Sequence, residues 1–162
     1  MKIKHLFIIW CIVLFSNNII AQSGRTIERT ISGETYLIDT ISLFVKNKNY
    51  KLPEGKQCDS FTIEDSSPLE KIFYNFLSKE KMNELVKSKA MVVLRIVCLP
   101  SGKIEAVSFL FRKKIFLSLA EIQSLEKKLI NTQLKISTYC SGNHYVSMVA
   151  PIRFEKYTHV PL

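Results

Sequence analysis

The chain predicts an α+β fold, a small antiparallel sheet with two main helices packed on one of its faces. Three observations carry that expectation. Ala90 to Leu99 is β-prone, turns at Pro100-Ser101-Gly102-Lys103 and returns over Ile104 to Phe111. Two segments, opening near Ser67 and Ser118, begin with capping residues and continue with apolar residues at helical spacing. Finally Val146, Met148, Ala150, Ile152 and Phe154 alternate with Tyr145, Ser147, Val149, Pro151 and Arg153, the period of a half-buried strand.

The N-terminus indicates the compartment. Lys2, Lys4 and His5 precede an unbroken apolar run from Leu6 to Phe15, and Ser16-Asn17-Asn18 follow. A spanning helix needs ~20 apolar residues and a secretory segment roughly 7–15, so the run fits a signal peptide. Residues 1–21 are read as that signal, cut between Ala21 and Gln22, although Ile19 is large for its place before the cut. An uncleaved anchor is the competing reading. Trp10 before Cys11 argues against a lipoprotein. The expected location is periplasmic or extracellular, with membrane contact only through the signal segment. The remainder suits one domain. Its expected parts are an N-terminal strand and loop region, 22–66, and a main module, 67–162, with the compact unit running over 30–157.

In chain order, Gln22 to Arg29 is polar and reads as a loose N-terminus, and Tyr36 to Val45 as one or two strands. Lys46 to Ser66 is polar, with Pro53-Glu54-Gly55 as a turn signal. Ser67 as cap, Pro68 at the first helical position and Glu70 three residues after Ser67 form a helix start. Leu69, Ile72, Phe73, Phe76 and Leu77 make one apolar stripe. Met82, Leu85 and Val86 fall out of phase with it, so the helix bends near Lys79 or a second one begins there.

In the hairpin, a tip at Ser101-Gly102 sets Leu99 opposite Ile104. Val92, Leu94, Ile96 and Cys98 then share the helix-facing side with Glu105, Val107, Phe109 and Phe111, unless a bulge at the turn flips the assignment. Ser118 and Glu121 form a second capping box, and Leu119, Ile122, Leu125, Leu129 and Ile130 the buried stripe of that helix. Lys127 and Lys128 suit its C-terminal half. Ser137 to Asn143 reads as a polar loop. Pro151 cannot donate to a ladder, so the last strand is an edge or is bulged there.

The stretch from Ser67 to Glu155 resembles the C-terminal domain of TonB-type proteins. Ser101-Gly102-Lys103-Ile104 matches that family's glycine turn between two strands, and Pro151-Ile152-Arg153-Phe154 its closing motif. The resemblance implies the fold and an edge strand able to accept a partner strand by β-augmentation. TonB transducers keep an N-terminal anchor and carry a long Pro-rich segment, and a Tyr-Pro element often precedes the domain. This sequence shows none of these, so energy transduction is not carried over.

Chemistry narrows the function further. The formal charge is +9, but the lysines are scattered, arginine is unclustered and no nucleic-acid motif occurs, so nucleic acid is not an expected partner. A binder of acidic polysaccharide or lipid remains an alternative. Beyond the signal, Cys98 falls inside a strand and reads as a buried apolar residue, while Cys58 and Cys140 are a candidate disulfide. The competing use of Cys140 is with His144, as the nucleophile and base of a small thiol-dependent hydrolase or as half of a metal site. No second Cys/His pair lies nearby, and no helix start is placed to activate the thiol. P-loop, dinucleotide, nucleophile-elbow and HExxH motifs are lacking, and no cofactor or metal is expected. The expectation is an exported, non-enzymatic protein-binding module of the cell envelope. Its contact edge would be Tyr145, Ser147, Val149 and Arg153, and its partner an envelope protein joined by strand addition. The sequence leaves the oligomeric state open.

Overall fold

A computed structural model describes residues 26–112 and 117–155. The signal segment lies outside them. Nine strands, β1 (Thr26–Ile31), β2 (Glu34–Asp39), β3 (Phe44–Asn47), β4 (Lys56–Gln57), β5 (Phe61–Asp65), β6 (Met91–Cys98), β7 (Ile104–Arg112), β8 (Lys135–Thr138) and β9 (His144–Arg153), accompany three helices, α1 (Ser67–Phe76), α2 (Lys79–Lys87) and α3 (Leu119–Ile130). Seven strands form one sheet in the order β1-β2-β3-β7-β6-β9-β4, and β5 pairs with β8 in a separate ribbon. All pairs in the large sheet are antiparallel except β4 with β9.

The α+β class stands, but the sheet is larger than the small one expected. The polar N-terminal stretch is its first hairpin. Ser32 (φ 48°) and Gly33 (φ 81°) make the two-residue turn, and Ile31 pairs with Glu34 across it. Two consecutive positive φ values suit the right-handed strand twist. β1 is exposed along nearly its whole length, so it carries no apolar alternation to announce a strand. Because β3 pairs with β7, the sheet runs across the 66/67 boundary. Likewise, Ser137 and Thr138 end a strand rather than begin a loop, with Ile136 opposite Ile63.

The central hairpin has the expected register, with Val92 opposite Phe111, Leu94 opposite Phe109 and Ile96 opposite Val107. A bulge after Val97 then pairs Cys98 with Ile104. Ile104 is therefore fully buried and Glu105 exposed, which corrects the expected placement of Glu105 on the core side. At the tip, Gly102 has φ 87°, and a Cβ there would lie 1.9 Å from the Leu134 carbonyl oxygen. Its own carbonyl accepts the Leu134 N–H at 2.9 Å, so the turn docks on the chain leaving α3.

The first helix starts differently from expectation. Ser66 is the N-cap, and its side chain makes no capping hydrogen bond. Instead the Ser67 backbone N–H donates to Asp65 Oδ1 at 2.8 Å, which holds the Asp65 carboxyl below its usual range. The chain extends at Leu77 and restarts in α2, whose Ser78 hydroxyl accepts from the Lys81 N–H. The Ser118–Glu121 capping box is complete. α1 packs on α3, and α3 on β7. The core between helices and sheet includes Leu69, Phe73, Leu94, Leu125, Ile152 and Phe154, with the Phe73 and Phe154 rings edge to face at 6.0 Å.

Candidate functional site

Cys140 and His144 do not make a catalytic pair. Cys140 is bonded to Cys58 in a disulfide with a Cα separation of 6.0 Å, so it carries no thiol to ionise. The His144 ring turns back on its own loop, with Nδ1 2.6 Å from the Ser141 carbonyl oxygen. The remaining thiol, Cys98, is buried in β6, and burial pushes its pKa up to about 11. That is the opposite of nucleophile activation. Among the described residues, no group of three His, Cys, Asp or Glu is placed to hold a metal.

The disulfide has a structural consequence. It ties the end of β4 to the loop before β9. The β4 backbone pairs there through the Lys56 N–H to Asn143 and the Cys58 N–H to Tyr145. β4 is only two residues long and opposes only His144 and Tyr145. Since the Asn143 and Tyr145 carbonyls point toward β4, alternation turns the backbone of Ser147, Val149, Pro151 and Arg153 the same way. The even-numbered residues, from Val146 to Ile152, direct theirs toward β6 in an unbroken register. Beyond Tyr145 no described strand pairs with that outer side. Pro151 therefore sits where its missing N–H costs the sheet nothing.

Side chains follow the same alternation. Val146, Met148, Ala150 and Ile152 are buried, while Ser147, Val149, Pro151 and Arg153 are exposed on the face away from the helices. Val149 is 62% exposed. One end of this outer face is covered by the chain crossing from β3 to β4. Tyr50 on that crossing has its hydroxyl pKa raised by burial, which the nearby Arg95 guanidinium opposes. Ala106, which also points outward, is buried and lines a cleft with Tyr50, Leu52 and Pro53 of the crossing. Toward Arg153 the exposed residues are those of β9 itself, Val149, Pro151 and Arg153, while Val93 and Ser108 further into the face are buried.

A second polar constellation lies under the opposite flank, and the sequence reading passes over it. Glu126 is 4% exposed and Tyr36 0%. The Tyr36 hydroxyl donates to Glu126 Oε2 at 2.5 Å and lies 3.2 Å from Glu34 Oε2. Asn47 Nδ2 donates to Glu34 Oε2 at 3.1 Å, and Lys127 stands 3.6 Å from Glu34 Oε1. Burial raises the pKa of the Glu126 carboxyl, Glu34 adds to the shift, and the Tyr36 and Asn47 donors oppose it. Gln123, one turn earlier, donates to the Ile31 carbonyl at 3.2 Å. The signal was present, since Glu126 falls on the same helical stripe as Ile122 and Ile130. This network seals α3 onto β1–β3. Glu126 and Asn47 also line a cleft of about 340 Å³ beneath the crossing.

No family model and no curated protein matches the chain. Its fold is similar to the crystal structure of a DUF5043 family protein from Bacteroides uniformis, with a TM-score of 0.57 and 19% identity over 80% of this chain and 84% of that one. At that identity the likeness concerns the fold alone.

Proposed function

We propose that the protein is an exported, non-enzymatic protein-binding module of the cell envelope that accepts a partner's strand at the outer edge of β9. The observation that carries the reading is the outward-facing backbone from Ser147 to Arg153, unpaired among the described residues at one end of a sheet whose other end is the outer side of β1. Such an edge is a template for another strand. Two further features support it. The basic-then-apolar N-terminus reads as a signal, and the Cys58–Cys140 bond suits an oxidising compartment. The order helix, hairpin, helix and last strand, with β9 beside β6, supports the resemblance to TonB C-terminal domains.

Val149→Pro tests the proposal. The Val149 N–H points away from β6, so the fold survives its removal, while an incoming strand loses a donor and meets a proline ring. Envelope extract passed over the immobilised wild-type protein should yield a partner that the variant fails to retain, with thermal unfolding little changed. Equal retention by both would reject strand addition at this edge.

A further inference from the structure

Building on strand addition at β9, we infer that the added strand is acidic, with a carboxylate opposite Arg153 and apolar side chains opposite Pro151 and Val149. The inference comes from the outer face read row by row through the register. Arg112, Met91 and Arg153 form one row across β7, β6 and β9. Leu110, Val93 and Pro151 form the next, with Phe44 of β3 beside Leu110. Ser108, Arg95 and Val149 form the third, with Lys46 beside Ser108. These rows carry four cations around an apolar strip and no carboxylate.

The acids near this face are committed elsewhere. Glu28 holds Lys48 at 3.0 Å. Asp39 accepts the backbone N–H groups of Ile41 and Ser42. Glu155, past the end of β9, is itself engaged. The ion pairs among the described residues, Lys48–Glu28, Lys81–Glu121, Lys103–Glu105 and Lys127–Glu34, use none of the four cations. Arg95 instead lies over the Phe44 ring, 5.6 Å from its centroid, and leans away from β9. Arg153 is therefore the guanidinium beside the open edge.

An incoming strand places its outward side chains about 4.5–5.5 Å, Cβ to Cβ, from those of β9. A carboxylate directly opposite Arg153 is within reach of a charge-assisted, bidentate pair. Apolar residues two and four positions along would cover Pro151 and Val149, extending the strip formed by Val93, Leu110 and Phe44. A lysine opposite Arg153 would set like charges against each other. Complementary charge also speeds encounter, an effect that salt screens.

The test uses the full, disulfide-intact protein and three labelled ten-residue peptides. They share a β-prone sequence and carry Glu, Gln or Lys at the outward position set against Arg153. Fluorescence anisotropy should show the Glu peptide binding about tenfold more tightly than the Gln peptide, the Lys peptide most weakly, and the Glu advantage shrinking as salt rises. Arg153→Glu, an exposed change, should reverse the Glu–Lys order. Equal binding of all three peptides would overturn the acidic assignment and leave strand addition standing. Binding of none, with capture of the protein by phosphatidylglycerol vesicles and not by phosphatidylcholine ones, would overturn both and make the face a lipid-binding surface.

Discussion

The two flanks of the seven-stranded sheet are fastened in different ways. On one side β1, β2 and β3 continue the ladder and are closed onto α3 by the Tyr36–Glu126–Glu34–Asn47 network and by the Gln123 bond to Ile31. On the other side β9 is followed by a two-residue strand and a single disulfide. The first flank fixes β2 and β3 to α3 through buried polar side chains and ends on the exposed strand β1, whereas the second ends on β9, whose outer backbone beyond Tyr145 pairs with no described strand and is followed only by a disulfide-held pair of residues. The contrast therefore lies in the fastening, a buried side-chain network on one flank and a single covalent tie on the other.

The disulfide flank should respond most strongly to change. Cys58 and Cys140 are separated by 82 residues, and closing a loop of that length stabilises by about 4 kcal/mol. The Cys58→Ser, Cys140→Ser double variant should lose stability of that order in urea denaturation. Amide exchange should rise first at Lys56 and at position 58, whose backbone N–H groups bond to Asn143 and Tyr145 in the wild type. Fraying that begins at β3 instead would break the contrast between the flanks.

A smaller loss is expected from Tyr36→Phe. It removes the hydroxyl that serves the buried Glu126 carboxyl, at a cost of about 1–3 kcal/mol, measurable as a lower urea midpoint with an unchanged slope. Glu126→Gln sharpens the same point through pH. Burial raises the folded-state pKa of Glu126 above its ordinary 4.5, so the folded chain holds that proton to higher pH than the unfolded one. Its contribution therefore favours the fold at low pH and is lost as pH climbs from about 4.5 through the raised value. The wild-type stability minus that of the Gln variant should fall across this window and then level off. A difference that rises with pH would mean that the buried carboxylate is stabilised by its neighbours.

The least stability effect belongs to the open edge. Val149→Lys and Arg153→Ala are exposed and should shift stability by less than about 0.5 kcal/mol, while changing peptide binding. A large stability loss at either would place the edge inside the fold.

How much of this was legible follows the same division. The β6–β7 register from Val92 to Ile96 was readable because one face is strongly apolar, although Ile104 lies opposite Cys98 and not Leu99, and α3 was readable from its Ser118–Glu121 box. A bulge at the turn was left open by the sequence, and nothing local to Val97-Cys98 decided it, while Gly102 at the tip packs against Leu134, 32 residues away. β1 escaped notice because neither of its faces is buried, although Ser32-Gly33 is a hairpin signal between Thr30 and Thr35. Glu126 and Gln123 drew no reading because their partners, Tyr36 and Ile31, lie about 90 residues earlier. The β9 edge was suggested by Pro151. Its extent depended on where β4 stops, which no local pattern in Lys56-Gln57 conveys.

The central claim is that the outer side of β9 beyond Tyr145, which pairs with no described strand, is open to a partner. Residue-resolved hydrogen exchange on the oxidised protein tests it directly. The account predicts fast exchange at the Ser147, Val149 and Arg153 amides, alternating with strong protection at Val146, Met148, Ala150 and Ile152. Protection of Ser147 and Val149 equal to that of Met148 would show the edge already covered and contradict the account.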